Sequence, residues 1–289
     1  MRRFELLEPS SLQQACALLT AKSEAKAIAG GTALLTIIKQ GLLLPKLLVN
    51  LSKIRDTGEI TFDASAGLRI GALATINAIE TSPLVRQHYA ILAHACHVVA
   101  NIRIRNMATL GGNLAHGDYQ SDPPTVLAAL DARVEIVSAG GRRELKLGDF
   151  QRGSYETALE AGELISAILI PPLPQGMHGL YVKFTTGSSE ERPCAGVAAL
   201  ANMNNGICRE LRLAVGAVSE RPVRIATEEF ANDKALTNDP IAEIAILAAR
   251  SVDPIDDLRG PADYKRHLVG VLVRRALAAL ADGQTELDS

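Results

Sequence analysis

Tryptophan is absent from this chain, and aromatic residues of all kinds make up only 3% of its 289 positions. Surfaces that stack nucleobases or sugars draw on aromatic faces, so this poverty argues against both classes of ligand. Charge of neither sign is in excess. With 30 Lys and Arg against 32 Asp and Glu, the net charge of −2 leaves no electrostatic footprint for nucleic acid or an anionic membrane. No apolar run reaches the roughly 18 residues of a membrane span. The opening Met1-Arg2-Arg3-Phe4-Glu5 gives way to acidic residues and Pro9 rather than to a signal-peptide core, which predicts a cytoplasmic protein. The cysteines, Cys16, Cys96, Cys194 and Cys208, show no C-x-x-C spacing, which excludes an iron–sulfur or zinc-ribbon signature and suits buried thiols in a reducing compartment. Neither G-x-G-x-x-G nor G-x-x-x-x-G-K-[ST] occurs, so the Rossmann and P-loop readings lose their main support.

What is present is aliphatic: 47% of the chain is hydrophobic, enough for a substantial core. Apolar spacing predicts helices over 10–20, 33–40, 75–80, 85–100, 123–132, 241–252 and 261–282. Short β-rich runs predict strands at 26–29, 47–51, 67–70, 133–138, 143–147 and 164–170. Beyond Pro171-Pro172, the runs 180–185, 195–202 and 211–218 read as three antiparallel strands, with Asn204-Asn205-Gly206 turning the chain between the last two. Strands followed by clustered helices predict an α+β fold. Breaks near 58 and 175 divide it into units 1–58, 59–175 and 176–289.

Two short segments carry the functional signal. Ala29-Gly30-Gly31-Thr32 precedes a predicted helix at Ala33, and Thr109-Leu110-Gly111-Gly112-Asn113 follows an apolar run. Glycine lets backbone amides approach a phosphate without an intervening Cβ and tolerates positive φ, while a following helix start adds a favourable dipole. Two such segments suggest two amide cradles on one extended, phosphate-bearing cofactor. Each alone is equally an ordinary strand-to-helix turn. His88, His94 and His97 share one predicted helix without a neighbouring Cys or carboxylate cluster, so they read as surface or packing residues rather than metal ligands.

The stretch Ala27–Leu35 with Pro45-x-Leu47-Leu48-Val49-Asn50-Leu51 resembles the first FAD-binding segment of the medium subunits of molybdenum hydroxylases, the carbon monoxide dehydrogenase and xanthine dehydrogenase relatives. Ile104-Arg105-Asn106-x-x-Thr109-Leu110-Gly111-Gly112-Asn113-Leu114-Ala115-His116, with Asp122 and Pro124, is similar to their second segment. Glu163–Pro171, Tyr181-x-Lys183-Phe184, Asp256–Gly260, Tyr264-x-Arg266-x-Leu268 and Arg274–Leu277 resemble later landmarks, in family order along essentially the whole chain.

The resemblance implies a two-subdomain FAD-binding fold of the PCMH, vanillyl-alcohol oxidase-like type, followed by a C-terminal three-stranded antiparallel sheet with helices. It implies that Ala29, Gly30, Gly31, Thr32, Ala33 and Leu34, with Thr109, Gly111, Gly112 and Asn113, hold the FAD. Asp122, Leu164 and Lys183 join them as implied cofactor contacts. On residues alone, Asp122 equally caps the helix at Pro123, Leu164 reads as strand core, and Lys183 as a solvated strand face. His116 follows the second segment directly and is a candidate contact, though a covalent flavin link is not what the resemblance implies. Ala33 stands where the family usually has Asp, Met107-Ala108 replaces Arg-Gly, Tyr119-Gln120-Ser121 replaces a small-residue run, and 188–194 lacks the usual Arg–Asp pattern.

The implied function is an electron-transfer subunit. Substrate is oxidised at a molybdopterin-bound molybdenum on a large partner. Two [2Fe–2S] clusters on a small partner relay electrons to this chain's FAD, and NAD+, a quinone or oxygen receives them. The assembly expected is a dimer of heterotrimers. Two alternatives stay open: a self-sufficient FAD oxidase or dehydrogenase, and a non-catalytic flavin-carrying assembly protein.

Overall fold

The structure, a computed structural model, describes residues 3–284. Met1 and Arg2 of the basic opening, and residues 285–289 of the expected third unit, lie outside the described residues.

Near the N-terminus the strands Glu5–Leu7, Ala25–Ile28 and Leu47–Asn50 form a parallel sheet with Leu47–Asn50 in the centre. Parallel neighbours need crossovers, supplied by the helices Leu12–Ala21 and Leu34–Lys39. The first begins at Ser11, whose hydroxyl accepts from the Gln14 amide at 3.2 Å, and it buries Ala15 and Cys16 against the sheet. The central strand is covered on both faces, so Leu47, Leu48 and Val49 are all buried without a polar alternation.

The next unit is an antiparallel sheet in the order Ile60–Asp63, Gly67–Gly71, Leu164–Ile170, Arg133–Ser138, Gly141–Lys146. Helices packed against it form the largest core. The single helix expected over 85–100 is instead two, Pro83–His88 and Ala90–His97, broken at Tyr89. The break turns the buried Tyr89 hydroxyl onto the Pro171 carbonyl at 2.9 Å, and a buried phenol needs such an acceptor. The strands Glu5–Leu7 and Ile60–Asp63 and the small pair Gln151–Gly153 and Glu156–Thr157 went unpredicted. At two to four residues they are too short to display a period.

The C-terminal sheet contains the three expected strands as its long members, Met177–Phe184, Ala195–Asn204 and Ile207–Gly216. Val223–Ile225 and Lys234–Ala235 extend it, both pairing with Ile207–Gly216. Asn205 and Gly206 both adopt positive φ, 50° and 79°, as a tight hairpin requires. Residues alternate faces along Ala195–Asn204. Val197, Ala199 and Ala201 join the core under the helices Asn238–Ser251 and Ala262–Ala281, while Ala198 and Leu200 join the core of the middle unit. Both faces are therefore apolar. Leu200→Ala is expected to cost about 3 kcal/mol, read as a lower urea midpoint at unchanged slope.

Candidate functional site

A cavity of about 600 Å³ lies between the parallel sheet and the middle unit. Segments 29–34 and 109–113, without the buried Leu110, line it together with His116 and Leu164. Leu19, Ala27, Leu159 and Ile165 add apolar wall.

The two glycine segments meet here because one side chain is missing. A Cβ on Gly30 would overlap the Met107 carbonyl and crowd the Ala108 Cα, so the first segment lies directly on the backbone that leads into the second. Gly31 sits at φ +71°, a conformation that favours glycine. Among the described residues, no protein acceptor takes the backbone N–H groups of Ala29, Gly30, Gly31, Thr32 or Ala33. That is a run of donors beside an open cleft. Ala33 stands at the start of the helix Leu34–Lys39 and offers no side-chain cap, so nothing on this residue competes for the amides.

The second segment differs from the sequence expectation. Its residues lie inside a short helix, Leu110–His116, capped by Thr109. Its amides are committed: Leu110 to Ala74 O, Gly111 to Ala72 O at 2.8 Å, Gly112 to Thr109 Oγ1 at 3.1 Å and Asn113 to Thr109 O. It is therefore not an open amide cradle. Its glycines act by shape. A Cβ on Gly111 would collide with Ala72, while one on Gly112 would meet only the Thr109 hydroxyl and otherwise stand in open space. The Asn113 amide group exchanges hydrogen bonds with Ser121 Oγ at 2.7 and 3.0 Å.

His116 packs against Tyr155, ring centroids 5.1 Å apart, and burial lowers its pKa, which keeps the imidazole neutral at ordinary pH. Tyr155 donates to Asp118, which also pairs with Arg192 at 2.8 Å. Tyr119 and Gln120 donate to Asp257, and Arg259 donates to Gln120. The atypical 119–121 stretch is thus an anchor for the C-terminal unit.

Asp122 and Lys183 do not line the cavity; they meet each other. Ser121, not Asp122, occupies the helix cap, and Asp122 is the first residue of the helix Asp122–Ala129. Its buried carboxylate accepts from Tyr181 Oη at 2.9 Å and Lys183 Nζ at 3.1 Å, and Lys183 also donates to the Val98 carbonyl at 2.8 Å. Burial pushes the Asp122 carboxyl up to about 6, against the opposing pull of Lys183 and Tyr181. The expected solvated face of Lys183 is a buried one. Tyr181 was missed, yet its two-residue spacing from Lys183 puts both on one strand face and signals the cluster. Of the three helix histidines, His97 pairs with Glu80 at 2.8 Å and His88 stacks on Phe62.

A cleft with open amides on one wall and aliphatic side chains on another has the chemistry that a phosphate-bearing cofactor with an apolar part requires. Residues 2–173 match the family described as the FAD binding domain in molybdopterin dehydrogenase, and residues 185–280 the CO dehydrogenase flavoprotein C-terminal domain. The chain is 33% identical to the nicotine 6-hydroxylase medium subunit of Paenarthrobacter nicotinovorans, covering 93% of this chain and 94% of that one. It is 33% identical to the carbon monoxide dehydrogenase medium chain of Afipia carboxidovorans, with 95% of each covered. Carbon monoxide dehydrogenase from Hydrogenophaga pseudoflava superposes with a TM-score of 0.93, at 32% identity and 99% coverage of both chains. Quinoline 2-oxidoreductase from Pseudomonas putida 86 does so at 0.92, also with 32% identity and 99% of both. The chain belongs to the FAD-binding medium subunits of the molybdenum hydroxylases, an oxidoreductase family. No helix among the described residues is long and apolar enough to cross a membrane.

Two glycine substitutions should separate shape from folding. Gly30→Ala must displace residues 107–108 and is expected to lower both the melting temperature and FAD content. Gly112→Ala puts a methyl group into the cleft, and its gain in helix propensity is offset because the methyl, 2.8 Å from the Thr109 hydroxyl, disturbs the helix cap. It should lower the melting temperature of the FAD-free chain far less than Gly30→Ala does while weakening FAD binding, which calorimetry and flavin titration measure together.

The buried pair gives a pH-dependent prediction. Because folding raises the Asp122 pKa to about 6, the folded chain keeps a proton that the unfolded chain has lost between about pH 4 and 6. Stability from this group is complete below that window and declines as pH rises through it. Lys183→Met leaves the carboxylate uncompensated and should cost about 3 kcal/mol at about pH 7.5. Its cost should be smaller at about pH 5, where Asp122 is protonated, as urea unfolding at the two pH values will show.

Proposed function

We propose that this chain holds FAD in the cleft between its first and second units and is the electron-output subunit of a three-subunit molybdenum hydroxylase. The observation that carries the reading is the run of amides from Ala29 to Ala33 left without protein acceptors beside an apolar-walled cavity. The relatives named as medium subunits and medium chains support the assembly.

FAD, when bound, supplies a carrier that exchanges electrons one or two at a time. The protein's part is to bind, orient and exclude water. The 29–33 amides and the Thr32 hydroxyl would donate to the diphosphate, whose charge must be neutralised away from water. Gly112 would leave room for the cofactor, and Leu164 with Ile165 would remove its apolar surface from water. His116, kept neutral by burial, puts no positive charge beside the cleft. Asp122 and Lys183, outside the cleft lining, act by holding the third unit against the second.

Substrate is oxidised at a molybdopterin-bound molybdenum on a large subunit. Two [2Fe–2S] clusters on a small subunit deliver the electrons, and NAD+, a quinone or oxygen accepts them from this chain. The complex works in the cytoplasm as a dimer of heterotrimers, and the three units of this chain are 1–58, 59–175 and 176–289. No nucleophile–base pair is needed.

Purification of the chain alone tests the reading. Stoichiometric FAD without turnover, and flavin reduction by substrate once the molybdenum and iron–sulfur chains are added, is the expected result. Substrate turnover by the lone chain would assign it instead as a self-sufficient dehydrogenase. Absence of bound flavin would overturn the proposal.

A further inference from the structure

Arg192 lies on the segment 185–194, which joins the strands Met177–Phe184 and Ala195–Asn204 of the C-terminal sheet. The segment belongs to the C-terminal unit but crosses onto the middle one at two points. Asn101 donates to Glu190 at 3.2 Å, and Arg192 Nε meets Asp118 Oδ2 at 2.8 Å. The second contact is unequal, because the Asp118 side chain is 8% exposed and that of Arg192 53%. A buried carboxylate needs a counter-charge as well as donors. Asp118 accepts from the Gln120 amide at 3.1 Å and the Tyr155 hydroxyl at 3.3 Å, and among the described residues Arg192 is the cation paired with it.

The carboxylate leads to the cleft. Tyr155 takes a positive φ of 59°, and its amide donates to the Gly117 carbonyl at 2.7 Å. Gly117 is itself at φ +66°, and a Cβ there would stand 3.1 Å from the Tyr155 Cα. A non-glycine residue keeps such an angle where its neighbours impose it. The interlocked turns set the Tyr155 ring against His116, which lines the cofactor cavity. Direct contacts therefore run from Arg192, through Asp118 and Tyr155, to an imidazole in the cleft wall.

Charge follows the same route. Burial lowers the His116 pKa, Asp118 opposes that shift and Arg192 supports it. The helix Leu110–His116 carries no other titratable residue, and the strand Leu164–Ile170 packed against it carries none. The strand Glu156–Thr157 brings the exposed Glu156. Lys26, Glu160 and Glu163 line the same cavity, with Glu163 paired to Arg143 at 2.6 Å.

We propose that Arg192 is a positioning residue of the cofactor cleft: by holding Asp118 it fixes the contact between Tyr155 and His116, and so lets the C-terminal unit set what His116 presents to the cofactor. This rests on the FAD-binding reading given above.

Histidine-selective nitrogen-15 NMR of the full-length, FAD-free chain reads His116 directly, with His116→Gln assigning its signal. Arg192→Ala should shift the ring resonances and raise the titration midpoint by about one pH unit, because Asp118 then stands unopposed. Arg192→Lys keeps the cation and should stay close to wild type. Adding Asp118→Asn to Arg192→Ala should abolish the rise. FAD affinity of Arg192→Ala should strengthen by about threefold more than that of wild type between about pH 8 and about pH 6, since a cation in the cleft favours an anionic cofactor. An unchanged His116 signal in Arg192→Ala, a rise that persists in the double variant, or an FAD affinity with the wild-type pH dependence overturns the proposal. Should Arg192→Ala fail to fold, Arg192→Gln, which keeps a donor without the charge, takes its place under the same criteria. A wild-type chain that binds no FAD counts against the FAD-binding reading, while the NMR titration still decides whether Arg192 controls His116.

Discussion

The cleft exists because Gly30 has no side chain. Its Cα face rests on the Met107 carbonyl, and this one close approach joins the N-terminal parallel sheet to the backbone that enters the second glycine segment. Any Cβ would push the two apart, and with them the wall carrying the free amides and the wall formed by Gly112. Other contacts then fix the segment underneath. Lys183 holds the Val98 carbonyl from the C-terminal sheet, Arg105 holds Val99 and Ala100, and Ala100 takes a positive φ of 41° to make the bend. Non-glycine residues adopt such angles when their surroundings impose them.

The two glycine segments consequently divide the work. The first keeps its amides open and has no regular structure of its own. The second spends its amides on Ala72, Ala74 and Thr109 and contributes a smooth surface. A similar economy governs the seam to the third unit, where the buried charge of Asp122 is offset by Lys183 and a tyrosine hydroxyl rather than by water. Burying such a pair gains little stability in itself, but breaking it is costly, which makes it a means of holding one arrangement of the units.

Much of the fold was legible in the sequence. Leu164–Ile170 and the helices of the C-terminal unit declare themselves by length and period, and Asn205-Gly206 by turn chemistry. The break at Tyr89 was not legible, because 85–100 keeps helical spacing throughout and only the distant Pro171 carbonyl shows why the chain turns. At the site, the glycines pointed to the right walls, yet composition cannot reveal whether an amide is already bonded. That depends on Ala72 and Ala74, about forty residues away in sequence from the segment they pin. Lys183 was misplaced for a related reason. Its residue type suggests a solvated face, but the face it shares with Tyr181 is covered by the helix Ala90–His97, with the Val98 carbonyl at its end, and by the Asp122 carboxylate.

Hydrogen exchange of the full-length chain with and without FAD tests the division between the two segments most directly. Amides 29–33 should exchange rapidly in the FAD-free chain and become strongly protected when FAD binds, while 110–113 should be protected already and change little. Unaltered exchange at 29–33 in the FAD-bound chain, or protection that arises chiefly at 110–113, would contradict the assignment of the first segment as the phosphate-binding wall.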